Sequence, residues 1–202
     1  MSRTARLSNR RLEIATITAG ALAIATLAAA PARAQNAAAA AAPAAKGLDD
    51  PTIVAIFDAA NTWDIETGAL AAKKGRSKDV RAFGRMLVRD HKMVRQQGRD
   101  LATRLKVTPT PPGKDFALYQ AHLAAMKTLR GARGAAFDKA FLEHEVSYHQ
   151  AVIDAVKTQL LPATQNADLK ALEVKVAPAF QAHMIAAQNL LNKLTGTNAD
   201  GQ

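Results

Sequence analysis

Residues 134–161 read GAAFDKAFLEHEVSYHQAVIDAVKTQLL, and this stretch decides the fold. Asp138, Leu142, Glu145, His149, Val152 and Val156 recur at alternating steps of four and three. That spacing returns to one face of an α-helix at every turn and does not fit a strand's period of two. Gly131 and Gly134 precede Ala135 and Pro162 follows Leu161, so the stretch predicts one long helix over about 135–161. Its seam carries acids and an imidazole where an ordinary core helix would carry only Leu or Val.

The same punctuation extends in both directions. Asp50-Pro51 is a helix start, and Ile53, Ile56, Phe57, Ala60, Trp63 and Leu70 share one side of a helix that runs to about Lys74, before Gly75. Ser77 caps a second helix to about Lys106, with Val80, Phe83, Leu87, His91, Val94 and Leu101 in register. Pro109, Pro111, Pro112 and Gly113 break the chain, and a short helix follows over about 114–129. The last long helix spans about 167–194, with Val176, Phe180, His183, Leu190 and Leu194 on one face and Pro178 inside it as an expected kink. No stretch alternates with period two. Four helices of about 24 to 30 residues with mostly short connections predict an all-α antiparallel four-helix bundle, with a short extra helix between helices 2 and 3. An Ala-, Leu- and Val-rich core is expected, with the helices packed close.

Composition narrows the chemistry. The 202 residues are 49% hydrophobic and 4% aromatic, with 27 Lys+Arg, 17 Asp+Glu and no Cys. No disulfide, thiolate nucleophile or Cys-based metal cluster is available. Scarce aromatics argue against a base-stacking surface for nucleic acid. Neither a nucleophile elbow, a P-loop nor a dinucleotide fingerprint occurs, and Ser77 and Ser147 are the only serines beyond residue 34.

Residues 1–34 read as an export signal. Arg3, Arg6, Arg10 and Arg11 precede an uncharged run from Ile14 to Ala30, and Ala32-Arg33-Ala34 is a small-x-small cleavage pattern. Cleavage places the chain in the periplasm or outside the cell; without cleavage the segment would serve as an N-terminal membrane anchor. Residues 35–48 form an Ala-rich linker expected to be disordered, residues 49–196 the bundle, and residues 197–202 a disordered tail.

His91, His149 and His183 fall on the seams of three different long helices, and Glu145 sits one turn before His149. Glu66 lies beside the Trp63/Leu70 stripe and Asp138 two turns before Glu145. Burying such groups is costly unless they are paired, hydrogen-bonded or bound to metal. Three readings fit: a His/carboxylate site for a divalent transition metal (Fe, Zn, Cu or Mn), a buried polar network that fixes register, or side chains facing solvent at a bundle end. No carboxylate has a His three residues later, which weighs against a di-iron centre. His122 and His144 lie off the main seams and are expected to be exposed.

Several of these residues also carry a family likeness. Glu66-x-Gly68-x-Leu70-Ala71, Asp90-His91, Gly134-Ala-Ala-Phe137-Asp138-x-Ala140-Phe141, His149-Gln150, and Pro178 followed by His183 together resemble the DUF4142 family over about residues 50–195. That resemblance implies a ferritin-like four-helix protein of undefined biochemistry, exported by bacteria, with an envelope or stress role. It also implies Glu66, His91, Asp138, His149 and His183 as candidate metal positions. Phe141 stands where the family often has Tyr, which argues against a redox-active tyrosine there.

The second helix is strongly basic. Residues 73–106 hold twelve Lys or Arg against Asp79, Asp90 and Asp100. Lys78, Arg81, Arg85, Arg89, Lys92, Arg95 and Arg99 follow helical spacing opposite the apolar seam. The stripe reads either as a solvated face or as a contact for an anionic envelope surface. Taken together, the residues predict an exported, non-enzymatic helical bundle for which a metal-binding core is one open reading, with two competitors: a metal-dependent oxidoreductase at the same residues, and a metal-free module that associates with surfaces through the second helix.

Overall fold

A computed structural model describes residues 48–197 except Asp115. The expected signal peptide, most of the expected Ala-rich linker and most of the expected tail lie outside the described residues. The described part is all-helical, with no strand. The helices are α1 (Asp50–Lys74), α2 (Lys78–Leu105), α3 (Ala117–Gly131), α4 (Gly134–Ala155) and α5 (Ala167–Thr195). No helix among the described residues is long and apolar enough to cross a membrane.

Local chemistry sets the ends. The Asp49 carboxylate accepts from Thr52 N–H at 2.9 Å, and Pro51 occupies the first turn of α1, where its missing N–H costs nothing. Ser77 accepts from Asp79 N–H to open α2, and Asn166 accepts from Asp168 and Leu169 N–H to open α5. Gly196, at φ +70°, ends α5 in the left-handed conformation that glycine adopts without strain.

Two carboxylates fasten connections to distant helices. Asp138, in the first turns of α4, accepts from Arg76 and Ser77 N–H at 2.8 Å each and holds the α1–α2 connection. Asp50, at the start of α1, accepts from Gln165 and Asn166 N–H at 2.9 Å each and holds the α4–α5 connection. The start of α1 therefore lies by the end of α4, and the end of α1 by the start of α4. Lys193 near the end of α5 pairs with Asp79 at the start of α2 at 2.7 Å, so these two helices also run in opposite directions.

α4 does not stay regular to Leu161 as the sequence reading had it. Val156–Leu160 form a π-helical turn, followed by one α-turn at Leu161–Ala163. Pro162 has no N–H for the bond that a regular turn requires, and its ring crowds the preceding turn. The widened turn still faces both Val156 and Leu160 inward. α5 remains continuous through Pro178.

The buried apolar side chains divide into two clusters. One holds Ile53, Phe57, Leu101, Ile153, Val156, Leu169 and Phe180, and the other Ala71, Phe83, Leu87, Leu129, Phe137, Phe141 and Ala187. The core is more aromatic than the expected Ala, Leu and Val: five of the six Phe are buried in it. Between the clusters, α1, α2, α4 and α5 each turn polar. Asn61, Asp64, Thr67, His91, Glu145, His149 and His183 are all buried there.

α1 and α2 touch through their backbones at Gly68 and Gly84. A Cβ added at Gly84 would lie 2.5 Å from the Gly68 carbonyl oxygen and 2.7 Å from Ala72 N. Gly84→Ala should therefore lower stability by about 2–3 kcal/mol, because backbone rather than a flexible side chain must move. Gly131→Ala, where nothing lies within 4 Å of the added carbon, should be neutral or slightly stabilising. Chemical denaturation of both variants checks the contrast.

Candidate metal centre

Each imidazole of the polar layer has one nitrogen tied down. His91 Nδ1–H donates to Asn61 Oδ1 at 2.9 Å, and Asn61 is oriented by its own Nδ2 donating to the Phe57 carbonyl at 2.8 Å. His149 Nδ1–H donates to the Glu145 carbonyl one turn back at 2.9 Å. His183 Nε2–H donates to the Asp90 carboxylate at 3.3 Å. A neutral imidazole with one N–H committed carries its lone pair on the other nitrogen.

The three remaining nitrogens converge. His91 Nε2 and His183 Nδ1 are 3.2 Å apart, and His149 Nε2 is buried without a partner among the described residues. One ligating nitrogen from each of the three rings lies within 4.8 Å of the others. Phe180 stacks parallel to His91 at 5.8 Å between ring centroids and fixes the ring plane from the apolar side. Burial holds the His149 imidazole down at about 3 and the His91 imidazole well below its usual range, with the neighbouring rings adding to the effect. Burial also lowers His183, against the pull of Asp90. All three rings are neutral near pH 7, and their lone pairs face one another.

Two carboxylates adjoin them. Asp64 Oδ2 is 3.6 Å from His91 Nε2, and Asp64 Oδ1 has no partner among the described residues. Glu145 Oε1 accepts from the Thr67 hydroxyl at 2.9 Å, while Oε2 is likewise unpartnered. Asp64, Glu145 and His149 form a second group whose ligating atoms lie within 4.8 Å of one another. Burial, then the charge of Glu145, pushes the Asp64 carboxyl well above its ordinary range. Burial raises Glu145 to about 7, against the Thr67 hydrogen bond. Each buried polar atom left unpaired costs roughly 1–3 kcal/mol. Asp64, Glu145 and His149 each carry such an atom and stand together, so an occupant that donates a proton or takes up lone pairs is favoured, and the donor set, imidazole with carboxylate, suits a first-row divalent metal.

Of the residues singled out from sequence, His91, Glu145, His149 and His183 meet in this layer. Glu66 and Asp138 do not join it. Glu66 is half-exposed and accepts from His122 Nε2 at 2.9 Å, while Asp138 is the loop fastener described above. His122 is buried rather than exposed, stacked on Trp63 at 5.4 Å between α1, α3 and α4. Burial, with His122 nearby, lowers the partly buried His144 to about 4.

The chain matches a known sequence family. The model of the family described as a domain of unknown function, DUF4142, matches residues 32–190. The chain belongs to the DUF4142 family. Among solved structures it is similar to one described as CopM in the Cu(II)-bound form, at 14% identity and a TM-score of 0.55, over 72% of this chain and 98% of that chain. At that identity the likeness speaks for the fold. No curated protein matches.

Asp64 is a layer residue that helical spacing alone did not single out. Its signal was present: Asn61, Asp64 and Thr67 step by three from Phe57 towards Ala71, all buried. α1 buries more than one side, however, with Trp63 towards α3 and Asp64 towards the polar layer. The Trp63 stripe therefore drew attention to Glu66 instead.

The Glu145 carboxyl, ordinarily near 4.5, stays protonated to about pH 7 in the folded chain. The unfolded chain loses that proton first. The stabilisation is complete below pH 4.5 and fades as pH rises through 7. In metal-free protein, Glu145→Gln should therefore gain stability over wild type by up to about 3 kcal/mol between pH 4.5 and 8. A difference that stays flat with pH would show the carboxyl to be ionised throughout.

Proposed function

We propose that the protein is an exported, ferritin-like antiparallel four-helix bundle that holds a divalent transition metal at mid-height. His91 Nε2, His149 Nε2 and His183 Nδ1 bind it, with the Asp64 and Glu145 carboxyl groups beside it. The single observation that carries this reading is the convergence of one nitrogen from each of three buried imidazoles, with His149 Nε2 lacking a partner among the described residues. A tetrahedral site with bonds near 2.0 Å has ligand–ligand edges of about 3.3 Å. The 3.2 Å between His91 and His183 nitrogens already has that length. A cation there would turn lone-pair repulsion into two bonds. Asn61, the Glu145 carbonyl and Asp90 act as outer partners that orient the rings. The copper named for CopM makes Cu(II) the first metal to try, and imidazole donors favour it over the other divalent ions.

The test uses untagged chain beginning at Gln35. Isothermal titration should give one equivalent of Cu(II). His149→Ala should weaken that binding at least a hundredfold, and His144→Ala should leave it unchanged. Equal binding by wild type and His149→Ala would end the proposal.

Exposed cations on α2 support a second reading, attachment to an anionic envelope surface. Arg81 is committed to the Gly75 and Arg76 carbonyls, Arg95 to Thr62 and Arg99 to Asp58. Lys78, Arg85, Arg89 and Lys92 remain exposed, with Arg89 paired to Asp90. Binding to anionic vesicles should fall steeply between about 50 and about 300 mM salt, as the Debye length shrinks from about 14 to about 6 Å, and binding to neutral vesicles should be absent. Co-sedimentation measures both.

A further inference from the structure

We propose that the polar layer is one chamber with two alternative metal seats that share His149: a nitrogen seat with His91 and His183, and an oxygen-rich seat with Asp64 and Glu145. This inference rests on the metal-binding reading above and extends it to the choice of ion. Each triad brings its ligating atoms within 4.8 Å of one another, and His149 is the member common to both.

The sharing has a chemical consequence. A neutral imidazole offers one lone pair, on one nitrogen or the other. His149 Nδ1–H is held by the Glu145 carbonyl, which directs that lone pair to Nε2. Whichever nitrogen ligates, His149 serves one seat at a time, so the seats exclude each other.

The oxygen-rich seat is more than a group of acids. Asp64 Oδ1, Glu145 Oε2 and His149 Nε2 are three fully buried atoms without partners, on α1 and α4. Thr67 donates to the other Glu145 oxygen and turns Oε2 towards the chamber. Carboxylate oxygens with one imidazole suit a harder ion such as Mn(II), and three imidazoles suit Cu(II) or Zn(II). Asp64 Oδ2 lies 3.6 Å from His91 Nε2, so the seats adjoin and an ion exchanges between them over a short distance.

Mn(II) and Cu(II) are the probes, at one fixed pH, on untagged chain from Gln35. Mn(II) binding is read from loss of the free-ion electron paramagnetic resonance signal, and Cu(II) binding by titration calorimetry. Asp64→Asn and Glu145→Gln keep side-chain shape and should each weaken Mn(II) at least tenfold more than they weaken Cu(II). His183→Gln and His91→Gln should show the reverse pattern, with circular dichroism confirming helix content. Cu(II) added to the Mn(II)-loaded chain should release Mn(II) one for one. The proposal is overturned if Mn(II) does not bind, if both ions are held together as two equivalents, or if each variant weakens both ions alike. Failure of wild-type Cu(II) binding would instead remove the metal-binding reading itself.

Discussion

Three imidazole nitrogens without protons face one another where water cannot reach them, and the rest of the architecture serves that contact. Such an arrangement is unfavourable for a bare protein. Lone pairs at 3.2 Å repel, and low polarity magnifies the repulsion. It persists because each ring is fixed from behind by a hydrogen bond to a different helix or carbonyl, and because Phe180 closes the apolar side. The apolar clusters above and below supply the folding free energy that lets the layer exist.

The helices themselves were legible because period, caps and breakers agree. Asp49-Asp50-Pro51, Ser77 and Asn166 mark helix starts by elementary hydrogen-bonding rules. The π-turn at Val156–Leu160 was not legible, since Pro162 reads equally well as a plain helix stop. Five buried Phe give the core more aromatic bulk than counting Ala and Leu suggests.

Four of the seven layer residues were legible for one physical reason. His91, His149, His183 and Glu145 each sit on a helix with a single dominant apolar stripe, so a polar residue on that stripe stands out. α1 contacts several neighbours at once, and Asp64 hides among residues that are buried on more than one side. Asp138 shows the opposite trap. A carboxylate in register with the seam near a helix start serves the backbone of a neighbouring connection as readily as a cation. Glu66 and His122 form a separate pair against Trp63, which no spacing rule would have joined across 56 residues.

The backbone contact at Gly68 and Gly84 leaves no clearance between α1 and α2. Asp64 lies one turn from Gly68 and His91 two turns from Gly84, so that contact indexes both residues to the same level. Removing a single residue between the glycines and their ligands would rotate a side chain by about 100° and take it out of the layer. A change in residue count that spares the layer therefore belongs in the connection between α2 and α3, while α1 and α2 keep theirs.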